Sequence, residues 1–150
     1  MKISEAEPQI EALIKEYLPD WRFRWDRATS RFGCCHQNLK LITMSKSLVE
    51  LNDWGQVKDT ALHEIAHGLA GKGHGHDQYW KSKCELIGAR PERCYSSTVI
   101  TPPEKWKGIC PGCGRIVYGC RRRNISCGKC CKVYNPEYKF IWELNKKGEK

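Results

Sequence analysis

His63-Glu64-Ile65-Ala66-His67 puts two imidazoles four residues apart, with a carboxylate directly after the first. Residues four apart on an α-helix are separated by about 400° around the axis, so both rings project from one face and can share a metal ion. Neutral imidazole is a common zinc ligand, and a zinc site with three protein ligands keeps its fourth position for water. Zinc lowers the pKa of such a water to about 7. Glu64 is then free to take the proton and deliver it to a leaving amine. The spacing is that of a zinc hydrolase.

That chemistry requires a helix under the motif and a third ligand beside it. From Gln56 to Ala70, apolar residues fall at Val57, Ala61, Leu62, Ile65, Ala66 and Leu69, which predicts a helix buried along one side. Asn52 or Asp53 is the expected N-cap, and Gly71, Gly73 and Gly75 end the helix and turn the chain sharply. His74 and His76 follow in that turn, so a third imidazole returns to the first two. Glu85, in the stretch Asp77 to Ile87, is a further candidate. The metzincin spacing needs Gly at position 70 and His at position 73; Ala70 and Gly73 exclude it.

HEIAH, the glycine-rich turn and His76-Asp77-Gln78-Tyr79-Trp80 together resemble the SprT-like (Spartan) family of zinc metalloproteases. In that family a histidine after HExxH is followed, four residues on, by Trp or Phe. His76 with Trp80 fits, whereas His74 would put Gln78 at the aromatic position; Asp77 stands where Gly is common. The resemblance therefore implies His63, His67 and His76 as ligands of a catalytic zinc, with Glu64 as the catalytic base. An N-terminal helix, a strand region around Trp25 to Ser45 and C-terminal cysteine pairs also follow the family's order. The implied activity is proteolysis of DNA-bound or DNA-crosslinked proteins by a monomer, with DNA of single-stranded character as partner. The competing class is a DNA-binding or transcription-related regulator with a vestigial protease site.

Ten cysteines require either disulfides or metal, depending on compartment. The start of the chain, Met1 to Pro8, has no apolar signal core, and no segment resembles a membrane span, so the expectation is a reducing, cytoplasmic or DNA-associated location (nuclear in a eukaryote). Cys110-Pro-Gly-Cys113 and Cys127-Gly-Lys-Cys130, thirteen residues apart, have the spacing of a zinc ribbon. A second, structural zinc is expected there. Cys120 and Cys131 are expected bystanders, and Cys34, Cys35, Cys84 and Cys94 small apolar residues.

Charge divides the chain. Residues 1–100 hold 14 Lys and Arg against 13 Asp and Glu, while residues 101–150 hold 12 against 4. A basic ribbon after a near-neutral part points to a polyanion, with Arg121, Arg122 and Arg123 between the knuckles as nucleic-acid contacts. Trp106, Tyr118, Tyr134, Tyr138, Phe140 and Trp142 are interspersed with the basic residues, as base-stacking platforms would be, although each taken singly is read rather as part of the ribbon's small core.

The expected fold is α+β: a small zincin-like core of helices and a short sheet over residues 1–100, and a zinc ribbon over residues 104–145. Ile10, Leu13, Ile14, Tyr17 and Leu18 predict a first helix ended by Pro19. Partial alternation (Phe23, Trp25; Leu39, Leu41) predicts strands between Trp21 and Thr43, joined by a turn near Gly33. His36 is expected to be a surface or hairpin residue, not a ligand. Asp77 is expected to cap the next helix, ended by Gly88 and Pro91, and Thr101-Pro102-Pro103 to mark the linker.

Overall fold

Apolar residues one turn apart bury Ala6, Ile10 and Ile14 along α1 (Ile3–Tyr17) in a computed structural model that describes residues 1–92 and 98–146. Glu5 in the first turn and Lys15 in the last complement the helix dipole. The chain divides into two compact units, Met1–Pro102 and Pro103–Lys150, with the division inside the proline-rich stretch.

Three strands follow α1 in the first unit: β1 (Arg22–Asp26), β2 (Gly33–His36) and β3 (Leu41–Ser45). β3 is central, parallel to β1 and antiparallel to β2, with Arg22 opposite Leu41 and Cys35 opposite Ile42. Every residue of β3 is buried, as a strand covered on both faces must be. The expected turn near Gly33 is corrected: the connection runs through residues 27–32, and Gly33 itself is buried as the first residue of β2. Leu39 belongs to a single 3-10 turn, Gln37–Leu39, and is exposed, so the Leu39/Leu41 alternation is not that of one strand.

Three helices complete the described part of this unit. α2 (Lys46–Leu51), which six residues are too few to announce by periodicity, starts where the Ser45 hydroxyl accepts from the Leu48 N–H at 3.2 Å. α3 (Trp54–Ala70) is capped by Asp53, whose carboxylate accepts from the Gln56 N–H at 3.0 Å. It buries Val57, Ala61, Leu62, Ile65 and Ala66 against α1 and the sheet. Gly71, at φ +82°, supplies the positive-φ residue that ends it. α4 (Gln78–Ile87) starts at Asp77, which accepts from the Trp80 N–H at 2.9 Å, and stops at Gly88.

In the second unit β4 (Trp106–Ile109) pairs antiparallel with both β5 (Ile116–Gly119) and β6 (Ile141–Leu144). Its core is small: Cys110, Cys127 and Phe140 are buried, with Val117, Tyr138 and Trp142 packed on them. Trp142 lies so close over Gly108 that a Cβ there would sit 3.0 Å from two of its ring carbons. The class is α+β, and a four-cysteine cluster in the small unit fits a zinc ribbon. No described helix is long and apolar enough to cross a membrane.

Candidate active site and metal centres

α3 carries His63 and His67 one turn apart, and the glycine turn after it brings His76 back against them. The Nε2 atom of His76 lies 3.2 Å from that of His63 and 3.3 Å from that of His67. Nitrogens held about 2.0–2.1 Å from a zinc ion at tetrahedral angles stand about 3.3 Å apart, and both His76 distances match that spacing; the three ligand atoms all lie within 4.8 Å of one another. Burial first, then the neighbouring His67 and His76, pushes the His63 pKa down to about 4; burial and His76 do the same to His67. Both rings are therefore neutral at pH 7, the state that offers a lone pair to a metal.

Trp80 is the floor of this cluster. Its buried indole lies against all three imidazoles, with centroid distances of 4.8 Å to His63, 5.1 Å to His67 and 4.7 Å to His76. The rings are thus supported from below as well as tethered to the backbone. The Gln37 side-chain amide also donates to the His67 carbonyl, tying the end of α3 to the turn before β3.

Glu64 sits between the cluster and β2. It is only 8 % exposed, and burial pushes its pKa up to about 7 from an ordinary 4.5, against the opposing pull of the Cys35 amide and Arg31. A carboxyl group that titrates near neutrality can both accept and return a proton. The four residues open on a cavity of about 620 Å³, also lined by Arg31, Cys34, Cys35 and Arg90. Asp26 holds Arg31 at 2.8 Å and Asp59 holds Arg90, with Nε 3.1 Å from its carboxylate. Burial raises the Cys35 thiol to about 12, so it is not a thiolate in the metal-free protein.

His74 and Glu85 lie outside the histidine cluster. His74 Nδ1 pairs instead with Asp77 Oδ2 at 2.7 Å. His76→Ala is accordingly expected to lower metal content at this site, and His74→Ala to leave it unchanged; metal analysis of the two variants gives the answer. The reverse pattern would mean that the turn presents the other ring. His36 is also apart from the cluster, 3.3 Å from Thr43 Oγ1.

Cys110, Cys113, Cys127 and Cys130 converge in the second unit. Cys110 Sγ lies 3.8 Å from Cys130 Sγ, and Cys113 Sγ 3.7 Å from Cys127 Sγ. Thiolates about 2.3 Å from a tetrahedral zinc ion are about 3.8 Å apart, so this set fits too. Cys131 is adjacent but turns to Ser126 and the Cys127 carbonyl, and Cys120 is exposed; neither joins the group. Cys84 is buried as an apolar residue, Cys34 and Cys35 are half-buried in the cavity wall, and Cys94 lies outside the described residues. Arg121, Arg122 and Arg123 are exposed just after β5.

The model of the SprT-like family matches residues 6–100. The chain belongs to the SprT-like family. No curated protein and no solved structure matches it. The matched SprT-like span holds most of α1, the β1–β3 sheet, all three histidines of the cluster and Glu64, and makes the first unit a metalloprotease-like domain. The cysteine group lies outside that span. Gly33 and the Cys35 amide, both against Glu64, carry no local sequence signal for this SprT-like site; their role depends on a contact distant in the chain.

Proposed function

We propose that this protein is a zinc-dependent metalloendopeptidase that acts on DNA-bound or DNA-crosslinked proteins. The observation that carries the reading is a buried carboxyl group, Glu64, set beside three convergent imidazoles on an open cavity. His63, His67 and His76 would hold the catalytic zinc, and Cys110, Cys113, Cys127 and Cys130 the structural one. When bound, the catalytic ion supplies Lewis acidity toward the scissile carbonyl and the attacking water. Glu64 takes a proton from that water as its oxygen bonds to the carbonyl carbon. It then returns the proton to the amide nitrogen as the C–N bond breaks. Trp80 keeps the three rings in place through both steps, and the cavity walls keep the peptide beside Glu64.

The ribbon is the DNA anchor in this reading. Residues 101–150 carry 12 basic against 4 acidic residues. The arginine loop is braced on the sheet: the Arg122 guanidinium lies 4.7 Å over the Trp106 ring, and the Trp142 indole N–H donates to the Arg123 carbonyl at 2.9 Å. Tyr134 offers an exposed ring on which an unpaired base can stack, in keeping with DNA of single-stranded character.

Phosphate contacts release counterions, so affinity should fall steeply with salt. Replacing Arg121, Arg122 and Arg123 together by Ala is expected to shrink the slope of log K against log salt by up to about 3, with little change in sequence preference. Fluorescence anisotropy over a salt series measures both. An unchanged slope would place the main anchor elsewhere.

Cleavage of a DNA-bound model protein by the zinc-loaded chain, with and without DNA, tests the whole reading. The expected result is metal-dependent cleavage stimulated by DNA. A zinc-loaded chain that binds DNA and cuts nothing would overturn it in favour of a DNA-binding regulator.

A further inference from the structure

Gly33 is buried at the start of β2, and its backbone is not in the left-handed region, so conformation does not explain a glycine there. Space does. A Cβ at this position would lie 2.8 Å from Glu64 Cγ, 3.1 Å from Glu64 Oε1 and 3.1 Å from the Thr60 methyl carbon. Real Cβ atoms essentially never come within 3.0 Å of a non-bonded heavy atom, so a Cβ here would force the Glu64 side chain, only 8 % exposed, to shift. Alternation along the strand puts Cys35 on the same face as Gly33. The Cys35 backbone N–H faces the Glu64 carboxylate and favours its charged form. β2 is the edge of its sheet, and an edge strand has amides without a strand partner, free to meet a side chain.

We propose that Gly33 and the Cys35 amide form a seat that fixes the Glu64 carboxylate against β2, which makes Gly33 a positioning residue for hydrolysis. The missing Cβ lets the helix bring Glu64 up to the strand, and the amide orients the carboxylate once it is there. The catalytic part of this rests on the reading of Glu64 as the base; the seat itself is a statement about contacts. An edge strand suits the purpose because the same backbone that holds β3 on one side can hold Glu64 on the other.

Gly33→Ala in the full, zinc-loaded chain is the first test. Cleavage kinetics should show kcat reduced about 10- to 100-fold, the scale of a base displaced by an ångström or less. KM should stay within about twofold, and metal content at both sites should not change. Parent kcat in a folded, fully loaded Gly33→Ala protein would overturn the proposal.

A thermal-unfolding cycle gives a second readout that needs no activity. Gly33→Ala should lower Tm in the parent and lower it much less in the Glu64→Ala background, where the side chain it strikes is gone. A Gly33→Ala chain that folds only together with Glu64→Ala would support the seat in the same way. An equal fall in both backgrounds would overturn it. A parent that cleaves nothing sinks the protease reading alone, since the cycle still decides whether the seat exists.

Discussion

Glu64→Gln is expected to leave both metal sites filled and to reduce peptide cleavage by roughly 10²-fold or more. The amide has the size of the carboxylate and can keep its place facing the Cys35 N–H, so the packing of α3 against β2 is kept. Only basicity is removed. Single-turnover cleavage with metal analysis on the same preparation separates the two effects: metal content unchanged, chemistry slowed. Parent-like cleavage by Glu64→Gln would show that another group moves the proton.

The same substitution has a pH signature in the metal-free protein. The folded-state pKa of Glu64 is raised to about 7 from 4.5, so the folded chain holds its proton longer than the unfolded chain does. The stability this gives is fully present below pH 4.5 and is lost as the pH climbs toward 7. Gln at this position has no such dependence. The Tm advantage of Glu64→Gln over the parent should therefore grow between about pH 4.5 and 7 and then level off. At about 1.4 kcal/mol per pH unit the full difference is on the order of 3 kcal/mol. A constant Tm difference across that range would mean that Glu64 is not held in a desolvated place.

How far this site could be read in advance follows from the range of its contacts. His63, Glu64 and His67 are fixed by helix period, His76 by a short glycine turn, and the cysteine pairs by knuckle geometry; each is local in the chain. Asp53 and Asp77 are N-caps for the same reason, since a cap acts within one turn. The central place of β3 and its parallel pairing with β1 are not local, and five buried residues such as Leu41–Ser45 show no alternation to announce a strand. Gly33 looks like a turn residue in sequence because glycine there has a familiar local use. Its reason is Glu64, a neighbour only after the sheet has packed on α3. Trp80 is similar: its position after His76 marks a motif, but the indole's contact with three rings is a property of the folded cluster.

Cys113→Ser is expected to cost the chain one metal ion and the folded state of its second unit, while the first unit keeps its own metal and structure. The difference lies in what each unit buries. The first has a continuous core running from Ala6 and Ile10 through Ile42 and Met44 to Ile65 and Trp80. Among the described residues, the buried apolar side chains of the second are Cys110, Cys127 and Phe140, and two of these three are themselves candidate ligands. A module this small rarely buries enough apolar surface to fold alone, and a structural zinc contributes about 10–16 kcal/mol of apparent binding free energy. Serine is a poor replacement for a thiolate ligand, so the remaining three sulfurs cannot close the site. Metal analysis should fall from two ions per chain to one, and amide NMR signals from β4, β5 and β6 should collapse toward random-coil positions while those of α3 persist. Cys120→Ser, at an exposed thiol outside the group, should change neither. DNA affinity should fall at least as far as in the triple arginine variant. Arg122 leans on Trp106, and Arg123 is tied to Trp142, so the loop holds its shape only while the sheet beneath it does. A second unit that keeps its dispersed spectrum and its DNA affinity without Cys113 would show that packing around Phe140, rather than the metal, holds the arginines in place.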